Sequence, residues 1–71
     1  MMIKRIEFNV LGCGMNTRTT ANELLIDVAH ERLNNWLVEH AVSIVNIESI
    51  YETKINTGDS RFTCLRLWYT D

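Results

Sequence analysis

The sequence predicts an α+β domain in which one helix packs on one face of a three-stranded sheet, in the order strand–helix–strand–strand. Three observations lead to this prediction. Residues 3–11 alternate between apolar and polar side chains, as half-buried strands do. Residues 25–40 repeat apolar side chains at helical spacing, and residues 42–55 and 61–70 form two apolar runs joined by a short polar loop. A chain of 71 residues is long enough for one domain only, so we predict a single βαββ domain over residues 1–71.

The first strand is predicted over residues 3–11. Ile6, Phe8 and Val10 share one side of its backbone, and polar residues share the other. Gly12 and Gly14 end the strand, because glycine tolerates backbone angles that other residues avoid.

The helix is predicted to run from a capping box at Thr20 and Glu23 to about His40. In such a box the threonine hydroxyl accepts the Glu23 backbone N–H and the glutamate reaches back to the cap. The core-facing stripe comprises Leu25, Ile26, Ala29, Leu33, Trp36, Leu37 and His40. Leu24 and Val38 lie outside this stripe, which is unusual for a monomer. A helix of about 20 residues is about 30 Å long, so it is expected to cover the sheet from end to end.

The last two strands are predicted over residues 42–55 and 61–70, with a hairpin loop in which Gly58 takes a positive φ. Apolar residues occupy both parities of residues 42–55, which predicts either a bulge or burial on both faces. In residues 61–70, Leu65, Leu67 and Tyr69 alternate with Phe62, Cys64, Arg66 and Trp68. Because both faces carry large apolar groups, we expect this third strand in the centre, in the order second–third–first.

Composition and charge narrow the class of protein. The chain is 46% hydrophobic and 23% charged, which is typical of folded domains. A formal net charge of −2 disfavours a nucleic-acid partner, which requires a basic surface. No apolar run approaches the roughly 18 residues of a membrane span, and the N-terminus has no signal-like apolar stretch. The sequence therefore predicts a cytoplasmic protein with no membrane association.

No residue pattern predicts catalysis, a metal site or a cofactor. The glycines flanking Cys13 lie where phosphate loops occur, but the lysine and hydroxyl residue of such a loop are missing. Cys13 would need a histidine as its base, and nothing in the spacing brings His30 or His40 near it. The close ligand pairs of structural zinc sites are also missing. Cys13 and Cys64 are expected as free thiols in a reducing compartment, and the protein is predicted not to be an enzyme.

The sheet face that the helix leaves uncovered is the candidate interface. It is predicted to carry Trp68, Phe62, Arg66, Arg5 and Cys64. An apolar patch of this kind on a small domain marks an interaction surface. The sequence therefore predicts a homodimer or higher homo-oligomer, formed through this face or through a free strand edge. A foreign protein partner or a small ligand on the same face is the alternative.

Three runs carry a family resemblance: residues 33–40 (LNNWLVEH), 44–49 (IVNIES) and 62–69 (FTCLRLWY). In these runs the chain resembles a family of very small bacterial and phage-encoded proteins, one group of which is labelled sporulation-associated. The resemblance implies a similar length and the strand–helix–strand–strand order, and the function predicted for this chain is that of a small interaction or regulatory module. It implies no catalytic residue.

A second resemblance is to dodecin, a small flavin-storing shell protein with the same element order. It is carried by residues 3–7 and the following Gly12, then one helix and two strands. Dodecins stack flavin on a tryptophan at the start of the second strand. Here Ala41 and Val42 occupy that junction, and Trp36 lies about one helical turn earlier. An oligomer that binds a small ligand, a flavin or a nucleotide, is therefore the alternative function.

Overall fold

The computed structural model describes residues 2–71 and contains one helix and three strands. These are β1 (Lys4–Asn9), α1 (Asn22–Glu39), β2 (Ser43–Thr53) and β3 (Ser60–Thr70). Both outer strands pair antiparallel with β3, giving the order β1-β3-β2. The predicted α+β class, the βαββ order and the central third strand are confirmed. No helix in residues 2–71 combines the length and apolar character needed to cross a membrane.

The core lies between α1 and the β1–β3 half of the sheet. The largest fully buried side chains are Leu25 and Leu33 from the helix and Leu67 from β3. The rest of the buried apolar cluster comprises Phe8, Val10, Ala29, Phe62 and Leu65. The predicted helical stripe and the inward face of β3 therefore meet as expected.

The helix begins differently from the prediction. Its first residue is Asn22, and the preceding Ala21 provides no side-chain cap. The Asn22 side-chain oxygen accepts the Phe62 backbone N–H at 3.1 Å, and its amide nitrogen donates to the Ser60 carbonyl at 2.9 Å. The capping box is wrong because Thr20 belongs to a preceding turn, where its own backbone N–H donates to the Asn16 carbonyl at 2.9 Å.

The helix ends as predicted, at Glu39 with His40 as the cap residue. The His40 ring stacks on Trp36, with ring centroids 4.1 Å apart. His40 Nδ1 lies 2.8 Å from the Trp36 carbonyl oxygen. A carbonyl only accepts, so Nδ1 carries the hydrogen and satisfies one of the free carbonyls at the helix end.

A bulge at Val45 explains the parity switch in β2. Ile44 lies opposite Tyr69 and Asn46 lies opposite Trp68, so Val45 is the extra residue between consecutive pairs. The bulge is confirmed, and the alternative of burial on both faces is wrong, because most of β2 is exposed.

A second bulge, at Thr63 in β3, was not predicted. Cys64 pairs with Ile50 and Phe62 pairs with Tyr51, which leaves Thr63 without a partner in the ladder. The Thr63 hydroxyl donates to the Ile50 carbonyl at 3.0 Å and so fixes the bulge. Because side chains alternate between the two faces of a sheet, one extra residue places the residues of β3 before Thr63 on the opposite face from the one that simple alternation predicts.

The helix covers two strands rather than three. No Cα of α1 lies within 8 Å of a Cα of β2, whereas α1 contacts both β3 and β1. The Arg32 guanidinium holds the helix towards β1 by donating to the carbonyls of Asn9 at 3.1 Å and Leu11 at 2.9 Å. A helix about 10 Å wide spans about two strands spaced 4.8 Å apart. The helix is therefore long enough to run the length of the sheet but too narrow to cover all three strands.

The β2–β3 hairpin extends the molecule. Gly58 takes the predicted positive φ, 71°, and every side chain from residue 51 to residue 60 is exposed. The radius of gyration is 13.6 Å, whereas about 11 Å is usual for a compact chain of this length. The domain is therefore more extended than a compact chain of this length.

Candidate functional site

Trp68 lies on the central strand, near its end, on the sheet face opposite α1, called here the open face. Arg5 is its direct neighbour on β1, and the Arg5 guanidinium carbon lies 5.9 Å from the indole centroid. The indole N–H donates to the carboxylate of Glu48 on β2. The tryptophan is thus half-buried between a cation and a carboxylate of its own chain.

Next to Trp68, Glu7 joins two side chains of β3. Its Oε2 lies 3.6 Å from an Arg66 nitrogen and accepts the Cys64 thiol at 3.3 Å. Arg66 Nε is buried and has no hydrogen-bond partner within the described part of the chain. Because Glu7 is about half exposed, this ion pair contributes at most about 1 kcal/mol.

The Cys64 thiol is unsuited to nucleophilic chemistry. Burial is the main factor that raises its pKa, and the hydrogen bond to Glu7 acts in the same direction; a hydrogen bond from Thr63 opposes them. The reactive species is the thiolate, so a raised pKa lowers reactivity at neutral pH. Across residues 2–71 no three His, Cys, Asp or Glu side chains are grouped so that they could hold a metal ion.

Four of the five predicted interface residues, Trp68, Arg66, Arg5 and Cys64, share the open face, but Phe62 does not. Phe62 is 3% exposed within the core cluster, with its ring edge against Tyr51 at a centroid distance of 5.8 Å. Its predicted position is wrong because the Thr63 bulge turns it towards the helix side. The binding roles of the other four residues stay predictions.

The exposed apolar side chains concentrate instead on β2. On the helix side, Ile44, Ile47 and Tyr51 are 52%, 44% and 45% exposed. Each lies directly opposite a β3 residue that packs in or against the core, so they continue the core face beyond the helix. We call these three residues the β2 strip; Val45, in the bulge beside them, is equally exposed.

Sequence reasoning missed the β2 strip. It detected the apolar parity of residues 42–55 but assigned the helix to the whole sheet. The available signal was the width of one helix relative to three strands, which leaves one apolar strand uncovered.

A cavity of about 740 Å³ opens at the hairpin end of the sheet. Its wall includes the basic side chains Arg18, Lys54 and Arg61 and the acidic side chains Glu52 and Asp59. Arg61 is already engaged, since it donates to the carbonyls of Thr17 at 2.7 Å and Thr20 at 2.6 Å. The wall also includes the apolar residues Val10, Leu11 and Phe62, and no cysteine or histidine of the described residues lines it.

Trp36 does not occupy the position that the dodecin resemblance implies. It packs against the core, with its ring centroid 6.1 Å from that of Phe8 and 5.0 Å from that of Tyr69. His40 is stacked on it as well, so one face of the indole is covered within the chain.

Comparisons with known proteins assign this chain to no family. The resemblances to the small bacterial and phage family and to dodecin therefore remain expectations. No protein-family model, curated protein or solved structure gives a significant match to the chain.

Proposed function

We propose that this chain is a non-enzymatic protein-interaction module that associates with a second copy of itself through the β2 strip. The observation that carries the proposal is that Ile44, Ile47 and Tyr51 continue the core face on an edge strand and remain about half exposed. Contiguous exposed apolar residues of this kind mark interaction surfaces in soluble domains.

The size and shape of the domain support this proposal. A chain of about 70 residues has a thin core, and such small domains commonly gain stability from a partner. Here one helix covers two strands of three, and the molecule is more extended than a compact chain of its length. A second copy placed over or beside β2 buries part of this exposed apolar surface.

The open face is the weaker of the two candidate interfaces. Phe62 is absent from it, Cys64 is buried, and Trp68 is held by Arg5 and Glu48. A partner on this face would displace the hydrogen bond and the cation–π contact of Trp68, whereas the aromatic contact that the β2 strip makes is the one between Tyr51 and Phe62.

Sedimentation velocity at tens of micromolar tests the proposal. We expect the wild-type chain to sediment as a dimer and Ile47→Lys to sediment as a monomer with an unchanged circular dichroism spectrum. Val38→Lys is the matched control, because Val38 is an exposed aliphatic residue on the outer side of α1. It should remain dimeric.

Two outcomes contradict the proposal. A wild-type chain that stays monomeric throughout this concentration range excludes self-association. A dimer that survives Ile47→Lys but dissociates with Trp68→Ala places the interface on the open face instead.

A second candidate function is small-ligand binding, and the cavity at the hairpin end is the observation that favours it. Its mixture of basic and acidic side chains suits a polar, charged ligand. Titration calorimetry with flavin mononucleotide and ATP tests this function. Binding that is weakened by both Arg18→Ala and Lys54→Ala supports it, and the absence of heat with either ligand at millimolar concentration rejects these two ligands.

A further inference from the structure

The outer edge of β2 has the features of a pairing edge. One side of β2 is bonded to β3, and the other side has no strand beside it within residues 2–71. Natural edge strands are usually protected by lysine, proline or a bulge. Residues 43–53 contain no lysine, arginine or proline, and the single β2 bulge, at Val45, lies near the beginning of the strand. Residues 46–53 therefore form a regular edge whose charged side chains, Glu48 and Glu52, share the face opposite the β2 strip.

We infer that a second copy of this chain pairs antiparallel along this edge, with Ser49 of each copy at the two-fold axis. This inference rests on the proposed self-association and specifies its geometry. The product is a six-stranded sheet with both helices on one side, because a two-fold axis perpendicular to the sheet keeps each copy's faces in place. The two β2 strips then form one continuous apolar surface between the helices.

The side-chain pairs favour this register. Directly opposed residues share a face, so the axis must pass through a residue position. With Ser49 on the axis, Ile47 of each copy lies opposite Tyr51 of the other, which is a favourable aromatic and β-branched pair. On the other face Asn46 lies opposite Glu52 and Glu48 lies opposite Ile50, so no two like charges meet.

The neighbouring registers are less favourable. An axis through residue 48 opposes Glu48 to its own copy, and an axis through residue 50 opposes Glu48 to Glu52 twice; like charges directly opposite destabilise a sheet. An axis through residue 47 brings the bulge at Val45 into the ladder. An axis through residue 51 runs past Thr53, where β2 ends. Among the registers that oppose no like charges, the one centred on Ser49 has the longest uninterrupted overlap, residues 46–52.

Disulfide trapping tests the register. In a Cys13→Ser, Cys64→Ala background, Ser49→Cys places two thiols opposite each other at the axis. Opposed Cα atoms in an antiparallel pair are about 4.5–5.5 Å apart, within disulfide range. Thr53→Cys is the matched control, since its two copies would lie about 27 Å apart along the strands. We expect Ser49→Cys to form covalent dimer at least about tenfold faster than Thr53→Cys under a glutathione redox buffer.

A second pair of variants tests the same register in case the geometry at the axis is unfavourable for a disulfide. Asn46→Cys and Glu52→Cys chains, mixed in equal amounts, should form the mixed covalent dimer in preference to either self-linked dimer. Sedimentation of the unmutated chain, run in parallel, separates the register from the association itself. If the chain is dimeric but neither arm links as expected, the register is wrong and the proposed function stands. If the chain is monomeric and no arm links, both are wrong and the edge is free for a foreign strand.

Discussion

Asn22, the first residue of α1, accepts the backbone N–H of Phe62 through its side-chain oxygen at 3.1 Å. Its amide nitrogen also donates to the Ser60 carbonyl at 2.9 Å. One side chain thus joins the start of the helix to the start of β3, two segments 40 residues apart in the chain. The helix is positioned by the sheet at its first residue rather than by a local cap.

Asn22→Ala is expected to destabilise the fold by about 1–3 kcal/mol, since it removes two hydrogen bonds worth about 0.5–1.5 kcal/mol each. Urea denaturation measures the change. Thr20→Ala is the matched control and should lie within about 0.5 kcal/mol of wild type, because the Thr20 side chain caps nothing. A larger loss of stability in Thr20→Ala than in Asn22→Ala would indicate that Thr20 caps the helix after all.

Phe62→Ala is expected to cost about 3–5 kcal/mol, as for other buried aromatic residues. Such a loss approaches the whole stability of a small domain, so Phe62→Leu should be measured as well and should show a smaller loss in the same direction. Ile55→Ala is the control, because Ile55 is 98% exposed in the hairpin. Equal melting temperatures for Phe62→Leu and Ile55→Ala would contradict the buried position of Phe62.

Glu48→Ala should release the indole N–H of Trp68. In a nitrogen–proton correlation spectrum we expect the Trp68 indole signal to shift and its exchange with water to accelerate, while the Trp36 signal stays in place. Glu48→Gln keeps an acceptor oxygen and should give an intermediate effect. Glu52→Ala, a change on the same strand and face, should leave both indole signals unchanged; a comparable shift there would show that the Glu48 contact is not responsible.

The raised pKa of the buried Cys64 thiol leads us to expect a loss of stability at alkaline pH. Burial raises the pKa of this thiol above its ordinary value of 9.0, so the folded chain holds the proton more tightly than the unfolded chain. The resulting stabilisation is fully present below the ordinary thiol pKa and is lost as pH rises through the folded-state pKa. We expect the free energy of unfolding to fall more steeply above about pH 9 in wild type than in Cys64→Ala. Parallel pH profiles for the two proteins would contradict this.

The strand order and the helix end were predictable because they depend on patterns within one segment. Leu65, Leu67 and Tyr69 alternate with other large side chains, which places β3 in the centre, and His40 lies at the end of the apolar stripe. Such patterns follow from the periods of the helix and the strand.

The features that were missed depend on contacts between distant segments. The face of Phe62 depends on Thr63 bonding to Ile50, and the helix start depends on Asn22 bonding to β3. Neither contact leaves a periodic signal. Likewise, Arg32 sets the lateral position of α1 through carbonyls at the end of β1, which determines that β2 and not β1 is left uncovered.

The partial cover by α1 has a consequence for amide hydrogen exchange. Successive N–H groups of a central strand point to opposite neighbours, so those of β3 alternate between β1, beneath the helix, and β2, which the helix does not contact. Local opening of β2 does not require the helix to move, and segments with few apolar contacts open at lower free energy. Over residues 64–69, where β3 pairs with β1, protection should therefore alternate from one residue to the next, with the slow amides bonded to β1.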